Sequence, residues 1–291
     1  MSHHLPVLLV VIPLVAAPFA ALVNRPRVSW AIALGSAWWA FLAAFALLRQ
    51  VMADGPIHYA LGDWAAPYGI EYVVDPANAW VLLIVGMIAA VVTPYALLSI
   101  EREVPDARIP LFYAASILCM TRLLGIAITG DAFNLYVFLE IASLASYTLV
   151  ALGPDRRALA AAFQYLILGT IGATFILIGV GLIYMLTGTL NMADLAGRLP
   201  ALWDARPVRA AFAFIIVGAG LKFALFPLHW WLPNAYTYAP STVSAFLAGT
   251  ATKVGVLILM RFVYGVFGVT FAFEVMPLGE IRTALALITI L

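Results

Sequence analysis

Residues 222–253 read KFALFPLHWWLPNAYTYAPSTVSAFLAGTATK: a lysine, a run carrying Pro227, Pro233 and Pro240 with His229 among them, then a second lysine, all inside apolar sequence. Lys222 and Lys253 are the only lysines of the chain, against thirteen arginines. Pro227 has no N–H for the Phe223 carbonyl, and its ring clashes there, so a helix carrying Lys222 is expected to break or kink one turn past it. Non-helical backbone at membrane depth survives only where protein or a wet cavity surrounds it, and half-helices of this kind flank ion sites in transporters.

Working outward, the whole chain is apolar. Hydrophobic residues make up 65% of its 291 positions and charged residues 10%, with a mean hydropathy of +1.05. A soluble domain carries about a quarter charged residues. The composition therefore defines an all-α polytopic membrane protein. Stretches long enough to cross a ~30 Å hydrocarbon core run over 5–23, 29–49, 76–100, 109–129, 131–152, 157–188, 208–238 and 241–266. These make about eight full transmembrane helices, the seventh discontinuous at Pro227. A ninth begins near Arg282 and stops at Leu291, too short to span, so the sequence is expected to be truncated.

The first stretch lacks a cationic leader and is followed by many more spans, so it reads as an anchor and not a secretory signal. Alternating spans put Arg25, Arg27, Arg102, Arg108, Arg156 and Arg157 on one side, expected to be cytoplasmic. Arg49, Arg198, Arg206 and Arg209 fall on the other, with the N-terminus outside. The loop 51–76, with GIEYVV after several Gly and Pro, suits a small extramembrane hairpin, and 188–208 reads as a polar connection. Net charge of +1 gives no argument for nucleic acid. Cys119 stands alone, His3, His4 and His58 form no ligand set, and no Walker or Rossmann glycine pattern occurs in the required setting, so no metal and no cofactor is expected.

Three ionisable groups fall near mid-membrane. Glu140 lies nine residues after Asp131, about 13 Å along its helix; Lys222 lies about 20 Å after Arg209, and Lys253 about 18 Å after Ser241. A lysine at that depth costs roughly 2.5 to 3.5 kcal/mol on insertion scales. Glu140 is read either as a proton-binding carboxylate or as one end of an interhelical hydrogen bond with Ser143 one turn along. The lysines are read either as proton carriers or as structural ion pairs, and His229 either as a proton shuttle or as a structural donor. Arg122 is read as reaching Asp131 or the outer boundary in preference to Glu140. Asp131 is read as a helix N-cap. Trp38–Trp39 and Trp230–Trp231 suit interface or packing positions, and Gly169, Gly172, Gly179 and Gly181 suit close helix packing.

Three stretches carry a resemblance to a known family: GDAFNLYVFLEIASLASY (130–147), LKFALFPLHWWLPNAYTYAPSTVSAFLAGTATK (221–253) and GDWAAPYGIEYVVDP (62–76). They resemble the antiporter-like proton-translocating subunits of Mrp-type cation/proton antiporters, respiratory complex I and membrane-bound hydrogenases. HWWLPNAYTYAPS and LTGTLNMADLA are most similar to the D subunit of Mrp antiporters. The resemblance implies a fold of about fourteen helices with two inverted five-helix repeats. This chain would supply helices 1–3 over 1–108, the first repeat over 109–266, and the start of the second over 267–291. It also implies that Glu140 pairs with Lys222 and that protons pass His229 and Lys253 toward the second repeat.

The resulting expectation is a subunit of a multi-protein monovalent cation (Na+)/H+ antiporter of the bacterial plasma membrane, partnered by other subunits, protons, monovalent cations and lipid. One rival is a pumping subunit of an NADH-quinone oxidoreductase or hydrogenase, although the chain holds no redox ligands. The other is a membrane scaffold without transport.

Overall fold

The computed structural model of the chain describes residues 2–281. The expected spans are all present: α1 (Leu5–Leu22), α2 (Pro26–Asp54), α3 (Pro76–Glu103), α4 (Ile109–Ile128), α5 (Ala132–Ala151), α6 (Arg157–Thr187) and α10 (Ser241–Met260), the last prolonged by a π-helical segment to Val266. The expected span over 208–238 is broken into α8 (Arg206–Lys222) and α9 (Leu232–Tyr238). Among the described residues seven helices are long and apolar enough to cross a membrane, and the stretch expected as an eighth span is discontinuous. The partial ninth span lies outside the described residues.

The extramembrane loop is the antiparallel hairpin expected, β1 (Ile57–Ala60) with β2 (Glu71–Val74), pairing Ile57 with Val74 and Ala60 with Glu71. Its free edge is covered: Tyr72 bridges Thr129, the Gly130 N–H donates to the Glu71 carbonyl at 2.8 Å, and Asp131 bridges Asn191. The hairpin, the α4–α5 turn and the 188–192 connection thus meet at one end of the molecule. At the other end the Ser241 N–H and hydroxyl bond the Glu103 carboxylate at 2.7 and 2.5 Å. The spans thus alternate in direction, the condition under which the arginines were sorted to two sides.

The connection 188–208 is more ordered than a polar loop. Asn191 caps α7 (Met192–Arg198) by accepting from the Ala193 and Asp194 N–H groups, each at 3.0 Å. One turn later Arg198 donates to Asp194 at 2.9 Å and holds that carboxyl below its usual range.

Lipid tails give helices no hydrophobic reason to associate, so close backbone approach and hydrogen bonds hold a bundle together. α6 and α8 meet at Gly172 and Gly218, where a Cβ on Gly218 would come within 2.5 Å of the Gly172 carbonyl and 2.8 Å of the Ile176 side chain, while one on Gly179 would lie 2.9 Å from the Ala211 carbonyl. Gly169 is closed by Tyr147 in the same way, whereas Gly181 has open space beside it. The α4 span is the centre of the bundle, 83% buried against at most 53% for the other spans. A charge on α4 therefore has protein around it and little access to lipid or water.

Candidate functional site

The break in the seventh span falls at Lys222 itself, one turn earlier than Pro227 alone predicts. Phe223 N–H still closes the last turn on Ala219 at 3.0 Å. Ala224 then takes a left-handed conformation, φ +59°, and Leu225 N–H reaches back to the Gly220 carbonyl at 2.8 Å. That is a Schellman-type helix end. The Leu221 carbonyl is taken by the Trp231 indole at 2.9 Å. Trp231 is fully buried and stacks on Tyr165 of α6, rings 4.1 Å apart and parallel, and Tyr165 meets Tyr147 of α5 edge-on at 4.6 Å. Trp231 is thus a packing residue, whereas its neighbour Trp230 is exposed.

Ala224 sits where glycine is the unstrained residue. Ala224→Gly is expected to stabilise the protein by about 0.5 to 1 kcal/mol, the relief of left-handed strain less the added unfolded-chain entropy. A lowered thermal midpoint of the purified protein would count against this description of the helix end.

Ending α8 at Lys222 places an ammonium at a helix C-terminus, where the carbonyl dipoles favour positive charge. Lys222 is half-buried, and its Nζ donates to Ser143 Oγ at 2.8 Å; Ser143 in turn donates to the Leu139 carbonyl at 2.6 Å. Glu140, one turn before Ser143 on α5, is within electrostatic reach of Lys222, but no ion pair joins the two among the described residues. Its buried Oε1 has no hydrogen-bond partner. The pairing implied by the family resemblance is therefore not made in this conformation, and Ser143 receives the lysine instead.

Beside Lys222 lies a cavity of about 20 Å³ lined by Arg122, Ser143, Tyr165, Lys222, Val254 and Gly255 among others, room for about one water molecule. α10 closes it, pressed so tightly on the break that a Cβ on Gly255 would lie 2.5 Å from that of Phe223. Lys253 does not line this cavity. It is exposed, with Nζ donating to the Ala248 carbonyl at 2.5 Å. The sequence reading of two buried lysines in succession is corrected here: within this chain α10 presents Val254 and Gly255 to Lys222 and carries Lys253 on an open face. His229 is half-buried in the segment between α8 and α9, its ring 5.4 Å from Phe226 and its buried Nδ1 without a partner. It hydrogen-bonds neither lysine.

Arg122 also departs from expectation. It does not reach Asp131, which caps α5 by accepting from Asn134 N–H at 2.6 Å. It is 6% exposed, faces the cavity, and lies within electrostatic reach of Lys222 and Tyr165. Two residues that sequence reasoning passed over complete the frame. Tyr165 carries no pattern that marks it. Arg261, whose guanidinium donates to the Thr129 carbonyl and to that of Ala127 at 2.7 Å, caps the end of α4; an arginine closing an apolar helix was its signal.

Fold and site together define a polytopic membrane protein in which ionisable groups on three helices converge on a helix break. The chain belongs to the family described as "NADH:quinone oxidoreductase/Mrp antiporter, TM", which it matches over residues 129–290, more than half its length. It is 45% identical over 268 residues to "NADH-quinone oxidoreductase subunit N" of Desulforudis audaxviator (strain MP104C), covering 91% of this chain and 53% of that protein. It is 33% identical over 263 residues to "Putative antiporter subunit mnhD2" of Staphylococcus haemolyticus (strain JCSC1435), covering 90% and 52%. Among solved structures, a chain of the membrane-bound sulfane sulfur reductase, "an archaeal respiratory membrane complex", superposes with a TM-score of 0.87 at 28% identity, covering 98% of this chain and 57% of that one. The chain spans about half the length of the curated relatives it matches.

Proposed function

We propose that the protein is a proton-translocating subunit of a multi-subunit monovalent cation (Na+)/H+ antiporter, in which Glu140 and Lys222 form a coupled switch and His229 and Lys253 relay protons. The observation that carries this reading is Lys222 at a helix break, its ammonium resting on Ser143 one turn from Glu140, whose buried Oε1 has no hydrogen-bond partner. A lysine with two acceptors in reach can change partners, and a proton can leave it as it does so. Residues 109–266 form the unit that carries the switch. Lys253, on the open face of α10, passes its proton outward to further protein, which agrees with relatives about twice as long.

A second reading is favoured by the 45% identical relative named as an NADH-quinone oxidoreductase subunit. In that reading the same switch is driven by electron transfer in partner subunits. Inverted membrane vesicles containing the complete complex separate the two. With a pH gradient already imposed, sodium is expected to dissipate it in an antiporter. A gradient that ignores sodium and potassium yet builds up on NADH addition would overturn antiport in favour of the redox pump.

A further inference from the structure

Arg122 and Glu140 are opposite charges on neighbouring antiparallel helices, α4 and α5, joined by the tight turn at Gly130. Arg122 lies six residues before the end of α4 and Glu140 eight after the start of α5, so both stand about 9 to 12 Å from that turn. Each has a buried, partnerless atom, Nε of Arg122 and Oε1 of Glu140. Both act electrostatically on Lys222 and on Tyr147. Arg122 takes part in no ion pair among the described residues, although a buried, uncompensated guanidinium is costly.

We infer that Arg122 is the permanent counter-charge of the site, a positioning residue whose fixed charge, acting without an ion pair, offsets the Glu140 carboxylate while Lys222 rests on Ser143. This rests on the switch proposed above. A lone Glu140–Lys222 pair would lock in the closed state, because separating it would leave an uncompensated carboxylate in a low-dielectric interior. A fixed cation at the same depth lowers the cost of opening. Arginine suits the role because it keeps its charge while Lys222 gains and loses a proton. The water-sized cavity lined by Arg122, Lys222 and Ser143 keeps the fixed charge and the lysine on one space and gives Lys222 room to move.

The test uses the full-length subunit in its purified complex, with Arg122→Met, Arg122→Lys and Lys222→Met, the double variant R122M/K222M, and the double variant with Glu140→Gln added. Each single variant leaves Glu140 one cation, so each complex is expected to assemble with a modest fall in melting temperature. The double variant is expected to fall by clearly more than the two single changes combined, and Glu140→Gln to restore most of the loss. Proton movement is expected to slow about tenfold in R122M and to recover largely in R122K, against the hundredfold or more of a group that itself carries the proton. Additive losses, no restoration by Glu140→Gln, or a wild-type transport rate in R122M overturns the inference. If R122M fails to assemble, R122M/E140Q decides: recovered assembly supports the counter-charge role and continued failure overturns it. The melting cycle needs no transport, so a complex that moved no protons would overturn the proposed function and leave Arg122 to be judged by stability alone.

Discussion

Lys222→Ala is expected to slow proton movement by the assembled complex at least about a hundredfold, the lower end of what a positioned proton-transfer group contributes. The ammonium is the donor that holds Ser143 at 2.8 Å and the group placed to change partners with Glu140. Lys222→Arg is expected to be nearly as inactive, since a guanidinium keeps the charge but does not release its proton. The assay is the decay of an imposed pH gradient in inverted vesicles, normalised to the amount of complex. Wild-type decay with Lys222→Ala would remove the switch and leave the scaffold reading standing.

Trp231→Leu is expected to destabilise the protein by about 3 to 5 kcal/mol, as loss of a large buried aromatic does. It would remove the parallel stack on Tyr165 and also strand the Leu221 carbonyl at the helix break. Trp231→Phe separates the two contributions. It keeps an aromatic ring against Tyr165 but drops the indole donor, and is expected to cost about 1 to 3 kcal/mol for the unsatisfied carbonyl. Thermal unfolding of the purified full-length protein in detergent measures both. Equal stability of Trp231→Phe and wild type would show that the indole bond does not hold the end of α8.

The bundle was legible because bilayer thickness and hydrogen-bond satisfaction leave little choice. The span boundaries read from apolar runs lie within a few residues of the helices formed. Pro227 announced a discontinuous helix, and the β-branched residues of GIEYVV announced the hairpin. The break itself came a turn early because a proline states only where a helix has to have ended. The left-handed Ala224 and the Trp231 indole decide where it does end.

Sequence was a weaker guide to partners. Lys222 and Lys253 share a sequence setting, yet one faces an internal cavity and the other an open surface, because which side of α10 faces inward depends on its packing over Phe223. Arg122 lies six residues before the end of its helix, and its reach was read outward. Its inward course follows from the burial of α4 at the centre of the bundle, a property of all the helices around it. Composition and the proline-interrupted run between two lysines thus settled a membrane bundle with charges at a broken helix, since hydration cost alone forbids most alternatives. Tertiary packing chose which charges meet, with Arg122 and Lys222 on one cavity, Glu140 one turn from Ser143, and Lys253 apart. Side-chain direction follows the rotation of each helix against its neighbours, which apolar spacing does not encode when nearly every position is apolar.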